Sequence, residues 1–335
     1  MKSQEIKIKM NIPILKTIKK VPGGIMLIPL ILGAIINTFF PHALRIGGFT
    51  TDLFLKGTGP LVALFLFIMG SQIKLNKAGA PITRGLVSLI SKFLVGFIIT
   101  IVVVKFFGIK GAFGLTPLAI MAAFAAPNTG LYVALAESFG NKDDLGAAGI
   151  ISLSGGAFFT MIALGGSGFK IPYMSMFAVI LPILIGFILG NIDEELRTFL
   201  GKGQHILTPF FGFSIGAGMT FYSILSSGIQ GVVLALGVLI ITGFVNYFAH
   251  VIIFKEKKAI NLGIGTTGGN QLATPVIVAG AASAFLPYVN EATAQVAASV
   301  IITAILCPLL VGFMDKKLKK KDDDKVNTIS NEVLA

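Results

Sequence analysis

The sequence predicts an all-α integral membrane protein: ten transmembrane helices arranged as two inverted five-helix repeats, with discontinuous helices four and nine crossing at the midplane. Three observations carry this. Of 335 residues, 54% are apolar and only 13% are charged, against roughly 25% charged in soluble domains. Apolar runs approaching the ~20 residues that a spanning helix needs recur along the whole length, and mean hydropathy is +0.88. The two halves also repeat one another in order. Between residues 23 and 314 only 15 Lys/Arg and 9 Asp/Glu remain, too few to cover a large soluble core with polar surface.

The elements follow from apolar runs read against helix breakers. Span one, 24–40, comes after a basic segment at 1–22 and carries Pro29 and Gly33. No cleavable signal is expected, because the leader is long and Gly33 to Asn37 runs on into a full span. Span two, 57–73, opens T-G-P at 58–60. Span three, 83–107, holds Lys92 near its middle, with Ser88 and Gly96 on the same helical face. Spans four and five cover 114–139 and 144–165. Span six, 171–190, carries Pro182 and Gly186; span seven, 206–221, opens L-T-P at 207–209. Span eight, 228–253, has His250 near its end. Spans nine and ten cover 259–284 and 291–314, and a charged tail fills 315–335.

The net charge is +12, but it marks topology rather than a nucleic-acid face. Twelve of the 27 basic residues lie in the two tails. With the N-terminus inside, the inner segments collect 21 basic residues and the outer ones 5, with Lys92 inside a span. That asymmetry places both termini in the cytoplasm. The single cysteine, Cys307 beside Pro308, excludes an intramolecular disulfide and reads as a packing residue.

The duplication rests on three pairs. L-I-P-L-I-L-G-A-I-I at 27–36 matches I-L-P-I-L-I-G-F-I-L at 180–189, aligning Pro29 with Pro182 and Gly33 with Gly186. The openings of spans two and seven match, and spans four and nine are both broken in the middle. Five spans per unit means that the second copy inserts upside down, an arrangement common in secondary transporters. The repeats are then 23–168 and 169–314.

The two broken spans are where chemistry is expected. Span four runs M-A-A-F-A-A-P-N-T-G-L-Y-V-A-L at 121–135, where Pro127 removes a donor and Asn128 and Thr129 can cap a second half-helix before Gly130. Span nine runs N-L-G-I-G-T-T-G-G-N-Q-L-A-T-P-V-I-V-A at 261–279. Its Thr274-Pro275 reads as an N-cap followed by proline at the first helical position. Unpaired backbone in hydrocarbon persists only where protein or a watery cavity surrounds it. Half-helix N-termini there offer free N–H groups suited to a carboxylate. The candidate substrate-binding set is Asn128, Thr129 and Gly130 facing Thr266, Thr267, Gly268, Gly269, Asn270, Gln271 and Thr274. Their hydroxyls and amides would meet sugar hydroxyls, and helix ends or Lys92 would take the carboxylate; inside a span Lys92 reads as a substrate or coupling residue, with pairing to a carbonyl or a helix end as the alternative.

Glu137 and Glu291 fall at span ends, and no span centre holds Asp or Glu. The three histidines form no metal pair. No phosphate loop with its Lys-Ser/Thr and no nucleophile-base set is visible, so the protein reads as neither an ATPase nor another enzyme. Transport would draw on an existing gradient.

Several stretches resemble the 2-keto-3-deoxygluconate permease family. They are I-K-K-V-P-G-G-I-M-L-I-P-L-I-L-G-A (18–34), F-I-M-G-S-Q-I-K-L (67–75), N-T-G-L-Y-V-A-L (128–135), L-P-I-L-I-G-F-I-L-G-N-I-D-E-E-L-R-T-F (181–199) and T-P-F-F-G-F (208–213). The resemblance implies a multi-pass permease of the bacterial inner membrane that imports this sugar acid with protons. It also implies a place in a wider group that includes bile-acid-type transporters, with a core domain moving against a scaffold. The partners are a small organic-acid substrate and the lipid bilayer. No cofactor is expected beyond the coupling ion, H⁺ or alternatively Na⁺, and a homo-oligomer is left open. The alternatives are a sodium-coupled organic-anion carrier and, less favoured, a channel.

Overall fold

A computed structural model of the chain describes residues 13–20, 24–73, 79–222 and 228–334. Lys74, Lys77 and the basic residues within 1–12, all counted in the charge asymmetry, lie outside them. The described residues are helical, apart from turns and a single bridge between Ala112 and Leu115. In chain order the α-helices are α1 (Ile14–Ile18), α2 (Gly24–Phe39), α3 (Gly48–Phe54), α4 (Thr58–Ser71), α5 (Ala80–Phe107), α6 (Pro117–Ala125), α7 (Thr129–Phe139), α8 (Lys142–Ile151), α9 (Phe158–Gly166), α10 (Tyr173–Ile192) and α11 (Glu194–Ala217). Then come α12 (Gly228–Gly237), α13 (Gly243–Phe254), α14 (Thr274–Ala281) and α15 (Val289–Leu334).

Four of these helices form a panel in which α2 packs on α11, and α4 packs on α10 and α11. Glycine makes the close contacts. A Cβ on Gly33 would lie 2.4 Å from the Phe213 carbonyl oxygen of α11, and one on Gly216 would lie 1.9 Å from the Leu30 oxygen of α2. The other pair is built alike: Gly70 sits against Ile183 O, and Gly186 against Phe67 O at 1.9 Å. Small residues let the backbones approach and gain dispersion contacts where no hydrophobic drive separates protein from lipid tails.

The remaining helices form a core around α5. Its buried residues, Arg84, Gly85, Ser88, Leu89, Lys92, Gly96 and Thr100, recur three or four apart on one face. That face meets α6, α8, α9 and α13. The opposite face, with Leu86, Ile90, Leu94, Ile98 and Val102, stays exposed as a lipid-facing stripe.

Four helical stretches are unbroken, long and apolar enough to cross a membrane: Ala80–Lys110, Tyr173–Ile192, Gly228–Phe254 and Ser283–Lys320. Three more form bent pairs, α3 with α4 at 56°, α6 with α7 at 40°, and α8 with α9 at 62°. The chain is thus a multi-pass membrane protein. Several elements differ in outline from the sequence reading. Span two is preceded by α3, bent at Leu55–Gly57. Span seven sits inside α11, which starts at Glu194 because Asp193 caps it, accepting from Glu195 N at 2.8 Å and Leu196 N at 3.0 Å. Span five is broken at Gly155–Ala157. The charged tail continues α15 to Leu334, since no Gly or Pro follows Asp315, and Asp315 pairs with Lys319 one turn on at 2.8 Å.

Candidate functional site

The break in the fourth span follows from proline chemistry. α6 opens with Pro117 behind the Thr116 cap, whose hydroxyl accepts from Ala119 N at 3.1 Å. It ends at Ala125 because Pro127 drives the residue before it out of the helical region; Ala126 is extended, at φ −139° and ψ 139°. Asn128 then caps α7, its Oδ1 accepting from Leu131 N at 3.1 Å.

The ninth segment is broken more deeply. A 3-10 turn at Ala259–Ile264 gives way to a bent, non-helical stretch through Gly268, then a second turn at Gly269–Ala273 leads into α14. Thr274 does not cap α14 as its sequence position suggested. It is itself helical, at φ −57° and ψ −44°, and its hydroxyl donates to Gln271 Oε1 at 2.9 Å, because the preceding turn already supplies the helix start.

The two breaks cross in contact. Gly268 N donates to Ala126 O at 2.9 Å, and Asn128 N donates to Thr266 Oγ1 at 3.0 Å. Each break thereby satisfies backbone donors of the other. The approach requires glycine at 268, where a Cβ would lie 2.8 Å from Pro127 O. Thr267 is tied down on three sides, with Oγ1 2.7 Å from Ser299 Oγ and 3.3 Å from Ala123 O, and its N–H donating to Thr303 Oγ1 at 3.0 Å. Lys92 Nζ donates to Thr266 O at 3.0 Å.

Beside the crossing lies a cavity of about 610 Å³, between the panel and the breaks. Its walls include Asn128, Thr129, Gly130, Gly268, Gly269 and Asn270. The other candidates do not line it. Thr266, Thr267, Gln271, Thr274 and Lys92 are buried behind the wall. The structure therefore divides the predicted set into a cavity-facing layer and a layer that builds the crossing.

Sequence reasoning missed part of the wall. Ser152, Leu153, Gly155 and Phe158 enter from the break between α8 and α9, and Met69, Gln72, Gln204 and Thr208 from the panel. S-L-S-G-G at 152–156 is a polar and glycine interruption of the same kind as those in spans four and nine. Gly155 touches the site directly, since a Cβ there would meet Met69 Cε at 2.6 Å and Asn270 Nδ2 at 2.8 Å.

Three helical starts meet at this cavity: α7 at Thr129, α9 at Phe158 and the turn at Gly269. Their first amides have no intrahelical acceptor and carry the positive end of the helix dipole. Among the described residues no Asp or Glu lines the cavity, and Lys19 stands at its rim. The arrangement favours an anion bearing hydroxyl groups.

A charge network closes one end of the core. Arg84 Nη1 meets Asp144 Oδ1 at 3.1 Å, and its Nη2 reaches Glu256 Oε1 and Oε2 at 2.8 and 2.7 Å. Lys258 bridges Asp144 and Glu256 at 3.3 and 2.7 Å. The hydrogen bond from Lys258, helped by Arg84, holds the Glu256 carboxyl below the usual carboxylate range. Arg84 and Lys258, two of the 21 basic residues counted inside, thus tie α5 and α8 to the link after α13.

The family profile described as 2-keto-3-deoxygluconate permease matches residues 15–320. The chain is 44% identical to 2-keto-3-deoxygluconate permease 1 of Salmonella typhimurium over 303 residues, 90% of this chain and 95% of that protein. It is 35% identical to the 2-keto-3-deoxygluconate permease of Bacillus subtilis over 311 residues, 91% of this chain and 94% of the other. Among solved structures, a sodium proton antiporter from Methanocaldococcus jannaschii at pH 8 aligns with TM-score 0.49 and 14% identity, covering 88% of this chain and 92% of that one. Residues 15–320, which contain both broken spans and their crossing, belong to the 2-keto-3-deoxygluconate permease family.

Proposed function

We propose that this protein imports 2-keto-3-deoxygluconate, or a similar small sugar acid, across the bacterial inner membrane by proton symport with alternating access. The observation that carries the reading is the convergence of three helix starts on one cavity walled by amides and hydroxyls. Asn128, Thr129, Gly130, Gly268, Gly269 and Asn270 contact the substrate, the helix starts take its carboxylate, and Thr266, Thr267, Gln271, Thr274 and Lys92 hold the crossing behind them. The names of the permease relatives support the cargo.

Ten crossings in two inverted repeats, 23–168 and 169–314, complete the proposal. The panel supports it: α2 meets α11 as α10 meets α4, with Gly33 and Gly186 at matching places in the two contacts. In the core, α5 packs on α8 as α12 packs on α15. Placing both termini in the cytoplasm, as the basic residues argue, makes the rim at Lys19, Gln72 and Gln204 cytoplasmic. The cavity then opens inward, and rocking of the core against the panel would open it to the other side.

The sodium-coupled alternative finds its support in the buried oxygens of Thr267, Ser299, Thr303 and Ala123. Uptake of labelled 2-keto-3-deoxygluconate into proteoliposomes, with pH and sodium gradients imposed separately, decides between the two. Accumulation driven by inward protons alone is expected. A sodium requirement that ignores pH selects the alternative, no uptake under either gradient discards this cargo, and non-saturating flux without accumulation means a channel.

A further inference from the structure

Among the described residues of the core, most charged side chains buried at the helix contacts are paired. Arg84 and Asp144 belong to the network with Glu256 and Lys258, and His250 Nε2 meets Ser88 Oγ at 3.0 Å. Lys92 is different. It is 1% exposed, and its one polar contact is the Thr266 carbonyl, with no carboxylate in reach. The Thr266 hydroxyl accepts from Asn128 N, and Asn128 is part of the cavity wall. Thr266 therefore links the lysine to a residue of the cavity wall. An ammonium away from water is stabilised by an anion brought near it and loses that support when the anion departs. No span centre offers an acidic group for the same task.

We propose that Lys92 carries the coupled proton. Nζ of the neutral amine takes up one proton from water on the outer side as the carboxylate enters, and releases it to water on the inner side as the carboxylate leaves. Only an N–H bond forms and breaks. One monoanion and one H⁺ cross together, so no net charge moves. The proposal rests on the sugar-acid import argued above and assigns that site its coupling residue.

Titratable groups stand on several of the surrounding elements. Cys307 of α15 interacts electrostatically with Lys92 itself and lies against Leu262 O at 3.7 Å, Asp144 of α8 is held by Arg84 and Lys258, and His250 of α13 meets Ser88 through Nε2 while its buried Nδ1 has no partner among the described residues. Tyr132 of α7 and Tyr247 of α13 are buried in the apolar cluster beside them. α6 and α9 bring no titratable side chain.

The test uses the full chain in proteoliposomes, as wild type, Lys92→Arg and Lys92→Gln. Arginine keeps the charge and the donor but does not titrate, so it rescues a structural role and not a proton-carrying one. Three readouts are taken: accumulation of labelled 2-keto-3-deoxygluconate under an inward proton gradient, counterflow at equal pH on both sides, and substrate-induced alkalinisation outside. The wild type should couple one proton per substrate. At least one variant should keep counterflow, now flat with pH, while its accumulation falls about tenfold or more and alkalinisation disappears. Proton-driven accumulation in Lys92→Arg or Lys92→Gln at the wild-type level overturns the proposal, as does loss of counterflow in both. Wild-type accumulation that needs sodium and ignores pH overturns it and leaves the cargo standing. A wild type that moves no sugar acid under either gradient overturns both.

Discussion

The backbone amide of Asn128 donates to the hydroxyl of Thr266 at 3.0 Å, joining the cap of one half-helix to the non-helical middle of the other broken segment. Asn128 faces the cavity and Thr266 does not, so a residue behind the wall sets the position of one in it. Thr266→Val keeps the shape and leaves the Asn128 amide without its acceptor. It should cost about 1–3 kcal/mol of stability and weaken substrate affinity, while Thr266→Ser stays close to wild type. Thermal unfolding in detergent and the KM of uptake check this, and an unchanged Thr266→Val would break the link.

Asn128 and Asn270 both line the cavity beside the crossing segments, and the proposed function gives them its polar contacts. Asn128→Ala removes the α7 cap, worth about 1 kcal/mol, as well as a proposed substrate contact. Asn270→Ala removes the contact with little structural loss, since its amide only grazes Met69 Sδ at 4.0 Å. Both should raise KM, Asn270→Ala with thermal stability unchanged. Uptake kinetics identical to wild type in both variants would remove these residues from the site.

The two glycines at the crossing should respond differently to alanine. At Gly268 the added Cβ meets the fixed carbonyl of Pro127 at 2.8 Å, so Gly268→Ala should disrupt the crossing and destabilise the protein by about 1–3 kcal/mol. At Gly155 it meets the ends of Met69 and Asn270, which can move. Gly155→Ala should therefore fold normally and bind substrate more weakly, which thermal unfolding and uptake measured side by side would separate.

The network at the end of α5 predicts an acid response. Glu256 is held below its ordinary carboxylate range by Lys258 and Arg84. A carboxyl depressed in the folded state adds stability above its unfolded pKa, about 4.3, and that stability is lost as pH falls through the lower folded value. Thermal stability should therefore fall below about pH 4.5 in the wild type, and less so in Glu256→Gln, which starts lower at neutral pH. Parallel pH curves for the two proteins would exclude Glu256 as a source of the acid response.

The breaks themselves were legible because their causes are local. Pro127 acts on Ala126 and on the amide it lacks, and four glycines among the polar residues of 261–271 deny a continuous helix whatever surrounds them. The third break, at Gly155–Ala157, has a local cause of the same kind in the S-L-S-G-G run at 152–156, but that polar run is short. Thr274 misled because an N-cap signature assumes that extended chain precedes it, and the 3-10 turn at Gly269–Ala273 occupies that place. The bend ahead of α4 and the capture of span seven by α11 depend on the panel and on Asp193, beyond the apolar pattern alone.

Composition and breaker placement by themselves determined that this chain lives in a membrane and where its helices fail. Lipid cannot satisfy backbone groups, so the amount of apolar sequence and the positions of Pro and Gly are constraints readable one segment at a time. Which polar residues of a break face the cavity and which hold its partner segment was decided only by the tertiary structure. Thr266 and Asn270 are four residues apart in one polar run, yet the first turns inward to Asn128 and the second to the cavity. Their directions are set by the segment crossing them, Ala126 to Asn128, which lies about 140 positions away in sequence and meets them only once the chain has folded.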